Sequence, residues 1–195
     1  MQASWCECLF SNRVDATAFN TSASEGSLLT GLNEQPVFPA GFWDQGGRGF
    51  GKAVTIQAMG ILGTTGTPTY IYQLRLGTTA GASYLSGTSL GISAAITTGS
   101  GVSNKFWILS HTFCCNTPGI GSGNTTLSGA GYVMSPTGFA SPLIYPLEPT
   151  TPDTATWTLT IDNSVTQYLN VSVTPSASSA SNTHTLKQLV VWVWN

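Results

Sequence analysis

The chain has 195 residues, of which 41% are hydrophobic and only 7% charged, with a formal net charge of −2. That is far below the roughly 25% charge of ordinary globular domains, and it offers no electrostatic case for binding nucleic acid or an anionic membrane. Polarity comes instead from Ser, Thr, Asn and Gly, as expected of an all-β protein with small hydroxyl residues facing outward, and so sparse a charge points to surface covered by neighbouring subunits.

Residues 1–40 show neither sustained alternation nor a helical period. They carry Trp5, Phe10, Phe19 and Phe38, and disordered tails are poor in such rings. The expectation is an extended N-terminal arm with at most one short strand, the alternative being a loose tail; if the arm is ordered, its rings need a neighbouring chain to bury them. The opening MQASWCECLFSNRVDATAF lacks a basic leader and an apolar signal core, and no apolar run approaches the ~18–20 residues of a membrane helix. Synthesis and folding in a cytoplasm are therefore expected. Cys6 and Cys8 form a C-x-C, and Cys114 and Cys115 a vicinal pair. Neither matches a zinc spacing, so no metal or cofactor is expected and Cys114 or Cys115 reads as a buried free thiol. Residues 41–50 are glycine-rich, but Gly46-Gly47-Arg48-Gly49 has no P-loop spacing and no helix pattern after it.

Residues 49–77 read as two strands and a turn. Val54, Ile56 and Ala58 share a face in the first arm, and Tyr70, Tyr72, Leu74 and Leu76 share one in the second. Gly63 to Pro68 separates them, so a long antiparallel pair is predicted. Two weak strands over 82–98 follow. Then Lys105 to Cys115 alternates strongly, with Trp107, Leu109, His111, Phe113 and Cys115 on one face and Phe106 and Ile108 on the other, as in a strand covered on both sides. His111 is expected to be a hydrogen-bonded core histidine. Thr125 to Met134 gives a further strand.

Segment 135–152 holds Pro136, Pro142, Pro146, Pro149 and Pro152, which argues for an irregular exposed loop. Its rings Phe139 and Tyr145 point to contact with a partner. Trp157, Leu159 and Ile161 alternate before a turn at Asp162-Asn163-Ser164. Residues 168–174 and 183–194 are predicted to form a closing pair, the last strand being apolar on both faces.

About eight antiparallel strands without a helix predict a jelly-roll β-sandwich over 41–195 behind the arm. An immunoglobulin-like sandwich is second, lacking the Cys…Trp…Cys framework. Catalysis finds no support. His111 and His184 have no triad partners, and pairs such as Asp153 with Asp162 or Asp44 with Glu148 fall in loops and turns. The chain is expected not to be an enzyme.

The run GKAVTIQAMGILGTTGTPTYIYQLRLGT, the Trp-headed strand ending in Cys, the glycine turn TPGIGSG and the closing TWTLTIDNSVTQYLNVSVTPSASSASNTHTLKQLVVWVWN together resemble a set of tailed-bacteriophage virion proteins. The resemblance covers about residues 41–195, apart from the proline-rich insertion. It implies a jelly-roll structural component of a phage particle, a homotrimer or similar oligomer. On that footing the expected role is a capsid decoration (cement) protein on the virion surface, with the major capsid protein as partner. The arm reaches over neighbouring subunits, and Trp5, Phe10, Phe19, Phe38, Trp43, Phe139 and Tyr145 serve as interaction residues. The alternative is a tail or head-fibre module that binds a host glycan through Trp43 with Asp44, or Tyr145 with Glu148.

Overall fold

The computed structural model describes residues 6–43, 52–81, 85–118, 124–136, 142–148 and 158–194. They form strands β1 (Cys6–Ser11), β2 (Gly26–Ser27), β3 (Val37–Phe38), β4 (Ala53–Gly63), β5 (Thr69–Gly77), β6 (Thr88–Ser93), β7 (Ile96–Thr97), β8 (Lys105–Thr117), β9 (Asn124–Ser135), β10 (Leu143–Glu148), β11 (Thr158–Asp162), β12 (Gln167–Pro175) and β13 (Thr183–Trp194). No helix is present among the described residues. The chain is all-β, and every strand pairing is antiparallel.

The period-two patterns land as the sequence predicts. Val54, Ile56, Ala58 and Leu62 turn inward from β4, and Tyr70, Tyr72, Leu74 and Leu76 from β5. Trp107, Leu109, His111, Phe113 and Cys115 do the same from β8. These strands belong to two layers facing each other across one core. The layers meet where the Tyr72 ring lies 5.4 Å from Trp107 and the Tyr70 ring 4.2 Å edge-on to His184.

Strand partners differ from the sequence expectation. β4 does not pair with β5; it lies between β13 and β8, while β5 lies between β12 and β6. Likewise β12 and β13 do not pair with each other. One layer runs β1-β13-β4-β8, and the other runs from β2 and β3 through β12 and β5 to β6. Counting β2 and β3 as one strand, this interleaving is consistent with the expected jelly roll, and most connections pass from one layer to the other, among them β4 to β5 and β12 to β13. Alternation specifies which side of a strand is buried, not its neighbour, so a hairpin and a crossing look alike in sequence.

The β4–β5 and β12–β13 crossings lie side by side and brace each other. Thr65 N donates to Asn182 Oδ1 at 3.0 Å, Thr69 N to Ser176 Oγ at 2.9 Å, and Ser176 N to Thr69 O at 2.9 Å. Gly66 supplies the positive φ of 74° that the first crossing needs.

Residues 6–43 are not a separate arm. β1 pairs with β13 from Cys6 opposite Trp194 to Ser11 opposite Val190, and β2 and β3 pair with β12. Phe19 and His184 exchange backbone bonds of 2.8 and 2.9 Å. Glu25 accepts from both Arg75 Nε and Nη2 at 2.8 Å. Leu28, Leu29 and Phe38 have no exposed surface and Trp43 only 1%. This segment supplies a strand to each layer, and its own chain buries Phe38 and Trp43 fully and Phe10 and Phe19 in part. It lacks an alternating signature because β2 and β3 are only two residues long.

The proline-rich segment also departs from expectation. Within it β10 forms a strand that joins β9 to β6 and links the two layers. Pro146 is accommodated because β6 meets β10 only at Leu147 and Glu148, leaving Pro146 with a neighbour on one side alone.

Candidate interaction surface

The aromatic residues expected to reach outward are mostly turned in. Phe38 packs edge-on to Phe42 at 5.0 Å and lies 6.5 Å from Phe113, while Trp43 lies 5.6 Å from Phe113. Phe10, Phe19 and Tyr145 are half-buried against the same core. Trp5 and Phe139 lie outside the described residues. Both expected glycan platforms fail at this level. Trp43 is buried, with Asp44 outside the described residues, and Tyr145 and Glu148 sit on opposite faces of β10.

Residues with reactive chemistry are dispersed or enclosed. His111 is buried as expected but makes no hydrogen bond: both ring nitrogens lack a partner among the described residues. Its ring occupies space left by glycines, since a Cβ on Gly91 or Gly131 would come within 2.9 or 2.7 Å of His111 Cδ2. Burial pushes its pKa down to about 4. His184 lies inside β13, fully buried, with Nε2 3.1 Å from Tyr72 Oη and Nδ1 unpartnered. Burial pushes its pKa down to about 3. Asp162 is engaged in the predicted turn, accepting from Ser164 N at 2.8 Å and Ser164 Oγ at 2.6 Å. Asp44 and Asp153 lie outside the described residues.

All four cysteines are free: Cys115 is buried, Cys114 half-buried, and Cys6 and Cys8 exposed. No group of three or more His, Cys, Asp or Glu side chains converges to hold a metal ion among the described residues. Lys52 is nearly buried; Nζ donates to Phe42 O at 2.7 Å and sits 4.1 Å over the Phe42 ring, and burial lowers its pKa. That lysine is a strut of the aromatic cluster.

What the fold does present is a broad uncharged face. The outward positions of β4 are Ala53, Thr55, Gln57, Met59 and Ile61, and those of β8 are Phe106, Ile108, Ser110, Thr112 and Cys114. β9 adds Met134, Tyr132, Ala130 and Ser128, and β13 adds Gln188, Val190, Trp192 and Trp194. None of these positions carries a charge. Register gathers the apolar ones: Met59 is opposite Ile108, Ile108 opposite Met134, and Met134 opposite Ile144 of β10, with Ile61 opposite Phe106 in the next row. Phe106 and Ile144 are each 67% exposed, Tyr132 42% and Met59 37%. A diagonal corner holds Trp192 and Trp194, whose Nε1 donates to Thr55 Oγ1 at 3.3 Å. Thr55 and Thr112 are joined across the strands at 2.9 Å.

The sequence carries this signal in its doubly apolar strands. Strands β8 and β13 are apolar on both faces, which predicts cover on both sides. The fold covers one side only, so Phe106, Ile108, Trp192 and Trp194 stand outward. Met59, Tyr132, Met134 and Ile144 join them only through pairings that no local pattern reveals. The chain matches no protein-family model, no curated protein and no solved structure.

Proposed function

We propose that this chain is a non-enzymatic structural protein of a tailed-phage particle, a capsid decoration (cement) protein that stabilises the head by binding across neighbouring copies of the major capsid protein. One observation carries the reading: the outward face of the β13-β4-β8-β9 layer is large, apolar in part and without charge. A protein that stays dissolved alone normally dresses such a face in Lys and Glu, whereas one spending its life in an assembly has the face covered.

Two further features support it. The enclosed histidines and the turn-bound Asp162 leave the described surface as a binding surface, without a gathered set of reactive groups. The segments that resemble phage virion proteins also have a structural place. They are β4, β5 and the crossing between them, β8, and β11 to β13 with the second crossing. These build the frame, so the resemblance is one of architecture.

The test uses particles assembled without this protein. Purified chain is added, the particles are pelleted, and the bound fraction is imaged. Regular density over junctions between capsid subunits, together with raised resistance of the head to heat, is the expected result. Failure to pellet at a large excess of protein, or density confined to the tail, sinks the reading.

A further inference from the structure

We infer that the first occupant of this uncharged face is a second copy of the same chain, docked sheet on sheet over the apolar row Met59, Ile108, Met134 and Ile144 with Phe106 beside it. The inference rests on reading the face as an assembly surface and names the partner of its apolar row alone; the part around Thr55, Thr112, Trp192 and Trp194 is left for the capsid.

Three properties of the face point to a copy of itself. The first is charge. Heterologous partners are selected and steered by complementary charge, and self-association about a two-fold brings like charge against like unless the centre is neutral. Here the paired outward positions of β4, β8, β9 and β13 are neutral, the unpaired bulge residue of β13 being the exception. Lys187, at the bulge of β13, is matched within its own chain by Asp15 at 2.5 Å. Glu148 lies two outward positions along β10 from Ile144, away from the row.

The second property is composition. Methionine and aromatic residues are enriched, and charge depleted, at the centres of protein interfaces, and homodimer interfaces are the more apolar class. Met59, Met134, Phe106 and Tyr132 fit that description on a surface where the protein as a whole has few charges to omit.

The third is shape and size. The row crosses four adjacent strands at one level, Met59 on β4, Ile108 on β8, Met134 on β9 and Ile144 on β10. A two-fold parallel to the strands, between β8 and β9, sets Met59 against Ile144 of the copy and Ile108 against Met134. Each flexible thioether then meets a branched side chain. From the exposures of Phe106, Ile144, Tyr132 and Met59, with half-buried Ile61, Ile108 and Met134, the apolar area is on the order of 500 Å². With the intervening Gln57, Ser110 and Pro146 it approaches the ~800 Å² per partner of a standard stable interface.

The experiment is sedimentation equilibrium of the purified full chain, with no capsid present, across nanomolar to tens of micromolar concentration. The expected species is a dimer, twice the 20.4 kDa protomer. Phe106→Ser is expected to raise the dissociation constant at least tenfold, as truncation of a central aromatic does. Phe106→Glu with Ile144→Glu is expected to leave monomer alone, with far-ultraviolet circular dichroism and melting temperature as in the parent. Val165→Glu, at an exposed turn away from the face, is expected to change nothing. A parent that stays monomeric at tens of micromolar overturns the inference, as does an oligomer indifferent to both face variants. Should the double variant misfold, Phe106→Ser decides alone. Monomeric protein that still decorates particles refutes only the self-docking; an oligomer that ignores particles refutes only the cement reading.

Discussion

The two enclosed histidines predict a specific acid lability. In the unfolded chain each titrates near its ordinary value of about 6.5. In the folded chain burial holds His111 to about 4 and His184 to about 3. The folded pKa is depressed, so below pH 6.5 the unfolded state binds protons that the native state refuses. Their contribution is complete above pH 6.5 and is lost as pH falls from there toward 4 for His111 and 3 for His184. At pH 5 each site lies about 1.5 units below its unfolded pKa, which costs about 2 kcal/mol per histidine and about 4 kcal/mol together. Against a native stability of about 5–15 kcal/mol that is a large fraction.

The assay is urea unfolding at pH 7 and pH 5, a window above the range in which ordinary carboxylates protonate. The midpoint is expected to fall by about 2 M if the slope is about 2 kcal/mol/M. His111→Leu gives the internal control, because leucine fills similar space and removes two buried nitrogens without partners. That variant should lose about half of the pH 7-to-5 difference. If His111→Leu and the parent show the same difference, His111 is not held neutral by burial and the reasoning fails.

Other consequences follow from the same geometry. Removing residues 1–30 takes away β1, β2 and the fully buried Leu28 and Leu29; at about 2–5 kcal/mol per buried leucine, the truncated chain should show no cooperative melting transition, and a normal melt would restore the idea of a dispensable arm. Gly131→Ala should cost about 1–3 kcal/mol in denaturant unfolding, because its Cβ would sit 2.4 Å from Ser110 O and 2.7 Å from His111 Cα; an unchanged midpoint would show that the β8–β9 contact can open. Thiol titration of native protein should modify exposed Cys6 and Cys8 rapidly and Cys115 only on unfolding, since burial both shields that thiol and raises its pKa. Equal rates at all four would contradict the placement of Cys115.

Which side of each long strand is buried was legible in the sequence, because alternation is a local property of an extended chain. The inward sets of β4, β5, β8 and β13 follow directly from it. Partner choice was not legible. The turn at 63–68 has glycine, proline and threonine, the chemistry of a hairpin, yet it carries the chain from one layer to the other. What decides between the two is long-range: Thr65 with Asn182, and Thr69 with Ser176, tie one crossing to another more than a hundred residues away. The first two strands escaped notice for a related reason. β2 and β3 are too short to show a period, and the four residues Leu28, Leu29, Phe38 and Trp43 are recognisable as core only once β12 and β8 are beside them.

The candidate surface was hidden by the same gap. An apolar residue facing out from a strand looks identical in sequence to one facing a second sheet, so Phe106 and Ile108 read as doubly covered. The sandwich has two layers and one interior, and a strand apolar on both sides exceeds what that interior can cover. The surplus is not spread evenly. It falls on neighbouring strands at one level, with Met59, Ile108, Met134 and Ile144 brought together from four separate stretches of chain. Chance placement of outward apolar residues would scatter them among Thr and Ser, as happens on the lower half of the same face around Thr55 and Thr112. A row assembled only by the finished fold implies a partner that meets the finished fold, which is why the surface is assigned to assembly and not to the folding of the protomer.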